Sequence, residues 1–73
     1  MEREIRTGTI IAIYPRKGYG FIKCQGSDDD LFFHYTAILN RTLDQIRVGD
    51  TVNYFEMPGK DYGLQAAHVE VKD

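Results

Sequence analysis

No window of this chain keeps an apolar stripe at helical spacing for three turns; short β-prone runs recur instead. They fall at 5–14, 19–25, 31–35, 51–57 and 64–71, and turn chemistry closes each one. Tyr14-Pro15-Arg16-Lys17-Gly18 ends the first run, because Pro15 cannot donate to a central ladder and Gly18 relaxes the backbone. Gln25-Gly26-Ser27-Asp28-Asp29-Asp30 forms the second turn, and Met57-Pro58-Gly59-Lys60-Asp61-Tyr62-Gly63 the last. The connection over 36–50 is longer: it is expected to hold one short turn of helix after Thr36, and Val48-Gly49-Asp50 leads back into a strand.

Five short strands in 73 residues leave exposed edges unless the sheet closes on itself. An all-β, five-stranded antiparallel Greek-key barrel, partly open and of the oligonucleotide/oligosaccharide-binding type, meets that need with the fewest residues. A small SH3-like barrel is the alternative on patterning alone. At this length about 60% of the unfolded surface is buried on folding, so one small domain spanning 1–73 is expected. The single cysteine, Cys24, excludes an internal disulfide. No apolar run nears the roughly 18 residues of a membrane span, and Met1 to Gly8 lacks a signal-peptide apolar region. A cytoplasmic monomer is the expectation.

A net charge of −2 argues at first against a nucleic-acid partner, but the average conceals a division. Residues 1–25 hold Arg3, Arg6, Arg16, Lys17 and Lys23 against Glu2 and Glu4, a balance of +3. The remainder balances at −5. Affinity for phosphate depends on where the cations sit. Tyr14, Tyr19, Phe21, Phe32, Phe33 and Tyr35, six of the nine aromatics, fall within 22 residues that overlap this basic segment.

The segment Lys17-Gly18-Tyr19-Gly20-Phe21-Ile22-Lys23-Cys24 carries the chemistry. Strand alternation puts Lys17, Tyr19, Phe21 and Lys23 on one face, with Gly18, Gly20, Ile22 and Cys24 on the other. The rings share their face with lysines, so that face looks to solvent. Rings roughly 6–7 Å apart along a strand suit successive bases, and each stack is worth about 1–3 kcal/mol whatever the base. Asp30-Leu31-Phe32-Phe33-His34-Tyr35 repeats the device: Leu31 and Phe33 turn inward, Phe32 and His34 outward, and Tyr35 leaves the strand at the rim. His34 suits stacking on, or hydrogen bonding to, a base.

Catalysis has little support. Asp28, Asp29 and Asp30 read as a solvated turn that would repel phosphate, and Cys24 as a small core residue. Cys24, His34 and His68 offer no metal-ligand spacing, so no metal, cofactor or small-molecule substrate is expected. An RNA-recognition motif also fits Lys17 to Phe21. That fold, however, needs two amphipathic helices and an aromatic strand well before the octamer.

Taken in order, these motifs resemble a cold-shock domain. Gly8-Thr9-Ile10 leading to Lys17-Gly18-Tyr19-Gly20-Phe21-Ile22 is similar to the family's first strand and first ribonucleoprotein motif. Asp30 to Ile38 is similar to its second, and Val48 to Val52 and Gly63 to Val69 resemble its last strands. The resemblance implies binding of single-stranded RNA or DNA, as an RNA chaperone or a regulator of transcription or translation. It implies nucleic-acid contacts at Lys17, Tyr19, Phe21, Phe32, His34 and Tyr35. Lys23, Phe55 and Tyr62 complete the expected interface, Phe55 because it alternates outward from Val52 and Tyr54.

The chain also departs from the family. Ile11-Ala12-Ile13-Tyr14 stands where the family usually carries Lys-Trp-Phe-Asn, so a main stacking ring is replaced by Ala12. Leu43 stands where the long loop often has an aromatic, and the basic residue of the last loop falls near Asp61-Tyr62. Tyr14, Phe55 and Tyr62 are the candidates to compensate. The expectation is retained but weakened or altered single-strand binding. The alternative is a barrel that has lost its ligand and serves as a protein-interaction module.

Overall fold

The five β-prone runs become five strands in the computed structural model, which describes residues 4–26, 28–59 and 63–72. They are β1 (Arg6–Tyr14), β2 (Tyr19–Cys24), β3 (Asp30–His34), β4 (Thr51–Pro58) and β5 (Leu64–Val71). Each lies within one residue of its expected bounds at either end. The strands close into a barrel in the order β1-β2-β3-β5-β4, so the partly open form expected from the sequence is replaced by full closure. Closure removes the free edges that so short a sheet would otherwise present.

The pairing is not antiparallel throughout. β1 pairs with β2 and β4, β2 with β3, and β4 with β5, all antiparallel, whereas β3 and β5 run parallel through Phe32 and Gln65. The reason is arithmetic: alternating directions cannot close around an odd number of strands, so one neighbouring pair must run the same way. A second parallel bridge, Ile38 to Val69, continues that seam.

The long connection supplies two 3-10 turns, Tyr35–Ala37 and Leu43–Gln45, where one was expected. Asn40 ties it to the barrel: its side chain donates to the Val71 carbonyl at 2.9 Å and accepts from the Val71 N–H at 3.0 Å. Leu43, where the loop of the family often has an aromatic, is partly buried and packs against the core.

The core follows the period-2 pattern. Ile10, Ile22, Phe33, Val52, Tyr54, Ala66, Val69 and Val71 point inward from the five strands, with Ile46 from the loop plugging one side. Two bulges adjust the alternation. On β1, Ile10 pairs with Ile22 but Ala12 pairs with Phe21, so Ile11 is the extra residue. This keeps Ile10 buried and returns Ala12 and Tyr14 to the outer face. On β5, Asn53 pairs with Glu70 but Phe55 with Ala67, so His68 and Val69 together face Tyr54. His68 takes the left-handed conformation there, with φ of 53°.

Candidate nucleic-acid interface

The outer face of β1, β2 and β3 is built from cross-strand rows. Tyr14 pairs with Tyr19 and Tyr19 with His34; Ala12 pairs with Phe21 and Phe21 with Phe32; Thr9 pairs with Lys23 and Lys23 with Asp30. The first two rows are aromatic and the third is polar, so the face has an apolar end and a charged end.

The rings form one continuous patch. Tyr19 lies 6.0 Å from Phe21 and 5.3 Å from Phe32, and Phe21 lies 6.0 Å from Phe32. Tyr14 joins them at 5.3 Å from Tyr19 and 6.3 Å from Phe21. The Tyr19–Phe21 and Phe21–Phe32 pairs meet edge-on, as ring quadrupoles favour. Tyr19, Phe21 and Phe32 are half-buried, packed at their flanks and open on one side. The expected spacing of rings along a strand is therefore met within the protein.

Two glycines set this geometry. Gly20 faces inward between the two outward-facing rings of β2, and a Cβ there would stand 2.7 Å from the Phe33 ring and 2.6 Å from the Ala12 carbonyl. Gly18 ends the β1–β2 turn at φ of 78°, its N–H donating to the Tyr14 carbonyl at 2.9 Å, and its carbonyl accepts from the Tyr35 N–H at 2.9 Å. That last bond brings the 3-10 turn after β3 against the β1–β2 turn and places Tyr35 at the rim.

Tyr35 is exposed, with its ring 4.6 Å from that of His34. The His34 Nδ1 accepts from the Thr36 backbone N–H at 3.4 Å and lies 2.9 Å from the Thr36 hydroxyl. With Nδ1 accepting, a neutral ring carries its proton on Nε2, which leaves a donor for a ligand.

The cations divide unevenly. Arg16 and Lys17 are exposed in the β1–β2 turn, and among the described residues neither is ion-paired. Lys23 points outward as expected, but its ammonium lies 3.6 Å from the Asp28 carboxylate. Arg6, counted in the basic region of the sequence, is held by Glu56 at 2.9 Å and Glu4 at 3.7 Å.

The remaining expected contacts lie elsewhere. Phe55 is on β4, a neighbour of neither β2 nor β3, with its ring 5.2 Å from His68 on β5. Tyr62 falls outside the described residues. Tyr14, named in the sequence only as a candidate to compensate, is the residue that the structure adds to the patch. Its signal was the two-residue spacing from Ala12 on the same strand face. Among the described residues no three His, Cys, Asp or Glu side chains are grouped so as to hold a metal ion, and no helix is long and apolar enough to cross a membrane.

Comparison with known proteins shows the family to which this barrel belongs. Residues 6–72 match the family model of the 'Cold-shock' DNA-binding domain. The chain is 38% identical over 61 residues to cold shock protein CapA of Pseudomonas fragi, covering 84% of this chain and 94% of that protein. It is 37% identical over 62 residues to the major cold shock protein of Micrococcus luteus, covering 85% and 91%. Among solved structures, the Drosophila Unr CSD456 superposes with a TM-score of 0.78 at 27% identity. That match takes in 97% of this chain but only 28% of the Unr chain. The protein therefore belongs to the cold-shock domain family, whose members bind nucleic acid and are not enzymes.

Proposed function

We propose that this protein binds single-stranded RNA or DNA by stacking unpaired bases on Tyr19, Phe21 and Phe32. His34 and Tyr35 lie at one border of the patch, and Lys17 supplies charge for a phosphate. The observation that carries this reading is the mutual contact of three half-open rings at 5.3–6.0 Å on two adjacent strands. Stacking tolerates any base, so a broad range of sequences is the expected substrate class. Lys23 stands at the charged end beside Asp28, and Phe55 on β4, which borders neither β2 nor β3; both contribute less.

A protein that binds only the unpaired form draws the folding equilibrium of an RNA toward that form by mass action. This is the action of an RNA chaperone, and it needs no cofactor and no turnover. The same competition for single strands would let the protein regulate transcription or translation.

Titration with oligo-dT and oligo-U at low salt, followed by tyrosine fluorescence, tests the reading. A saturable change is expected. Tyr19→Ala and Phe32→Ala should each weaken binding by about five- to a hundredfold, as loss of one stacked base requires. The absence of a saturable change, or a change that neither substitution moves, would overturn it in favour of a protein-interaction module.

A further inference from the structure

We infer that Tyr14 and the turn after it form an additional nucleotide subsite, with Tyr14 as the stacking ring and Arg16 and Lys17 as the phosphate contacts. The inference rests on the single-strand reading above and fixes which end of the patch the strand uses.

The first observation is the gap left by Ala12. Ala12 pairs with Phe21 across β1 and β2 and adds no ring to the face at that position. Tyr14 stands two residues along on the same face, and its ring reaches diagonally to Phe21 at 6.3 Å while packing on its own partner Tyr19 at 5.3 Å. The aromatic surface thus extends from β3 across β2 onto β1 despite the alanine. Packing covers only part of Tyr14, which remains 44% exposed as a residue.

The second observation is independent of the rings. A shallow hollow beside Tyr14 is lined by Ile13, Tyr14, Pro15, Arg16 and Lys17. It has an apolar floor with two cations at its rim, the pairing that a base and its phosphate require. Charge at the other end of the face points the same way. Lys23 there lies 3.6 Å from Asp28, with Asp30 opposite it in register, an arrangement that repels a polyanion. A single strand therefore reaches the patch over the β1–β2 turn.

The test compares wild type with Tyr14→Ala, Tyr14→Phe and Tyr14→Leu in the oligo-dT titration, and measures salt dependence for Lys17→Ala and Lys23→Ala. Tyr14→Ala should lose about five- to a hundredfold in affinity, Tyr14→Leu should lose as much, and Tyr14→Phe should bind as wild type. The slope of log affinity against log salt should become shallower by about 0.7 in Lys17→Ala and change by clearly less in Lys23→Ala. Amide NMR spectra of each variant establish that the barrel is intact; if Tyr14→Ala does not fold, the leucine and phenylalanine variants decide. Wild-type affinity in Tyr14→Leu, or a slope that falls for Lys23→Ala and not for Lys17→Ala, overturns the subsite while leaving single-strand binding in place. Failure of wild type to bind overturns both.

Discussion

The ring of Phe33 occupies the space that a side chain at Gly20 would need: a Cβ at residue 20 would stand 2.7 Å from the Phe33 Cζ. Phe33 is fully buried on β3, and Gly20 pairs with it directly across the β2–β3 ladder. Because residue 20 is bare, β2 can lie close over the Phe33 ring. The neighbours of Gly20 on either side, Tyr19 and Phe21, are then carried on the outer face. The core and the binding surface are thus two sides of one contact.

Gly20→Ala is expected to destabilise the barrel by about 1–3 kcal/mol, since neither a backbone carbonyl nor a ring in a closed core yields cheaply. Urea unfolding measures this. An alanine variant as stable as wild type would show that β2 can shift away from Phe33 at no cost.

Much of this was legible in the sequence, and the parts that were not have physical reasons. The strands could be read because Pro15, Gly26 and Gly59 mark the turns and because Ile10, Ile22, Phe33 and Val52 keep the period of 2. The outward facing of Tyr19, Phe21 and Phe32 followed from the same alternation. The parallel β3–β5 seam was hidden, because direction depends on closure of the whole ring rather than on any local residue. So was the bulge at Ile11, since an extra residue in a β-prone run leaves no compositional mark. The fate of the charges was also hidden. Arg6 and Lys23 count as basic in the chain, yet their partners Glu56 and Asp28 come from another strand and from a turn.

Tyr54 carries a cost that its neighbours do not relieve. It is a core residue of β4, and among the described residues its buried hydroxyl has no hydrogen-bond partner of good geometry. Burial chiefly, with the nearby Cys24 thiol and Glu56 carboxylate, holds that hydroxyl protonated well above the usual phenol range. Tyr54→Phe is therefore expected to raise stability at neutral pH by up to about 1 kcal/mol. The pH dependence has a definite sign. A folded-state value raised above the unfolded one gives stability that is complete below about pH 10 and is lost as pH rises beyond it. The advantage of Tyr54→Phe should thus widen above pH 10 in thermal or urea unfolding. A difference that narrows there would contradict the burial of the hydroxyl.

His68 holds a left-handed backbone at the β5 bulge, with φ of 53°. A β-branched residue tolerates that region poorly, whereas asparagine enters it readily. His68→Val should cost about 1–3 kcal/mol, while His68→Asn should stay close to wild type. Urea midpoints compare the two. Equal stability of the valine and asparagine variants would mean that the bulge relaxes to an ordinary strand.

The proposed binding surface for nucleic acid is the outer face of β1, β2 and β3. Amide chemical shifts recorded during titration with unlabelled oligo-U test it most directly. Perturbations are expected to concentrate at Tyr14, Lys17, Tyr19, Phe21, Phe32, His34 and Tyr35. Shifts centred instead on Phe55, His68 and the β4–β5 side of the barrel would contradict it.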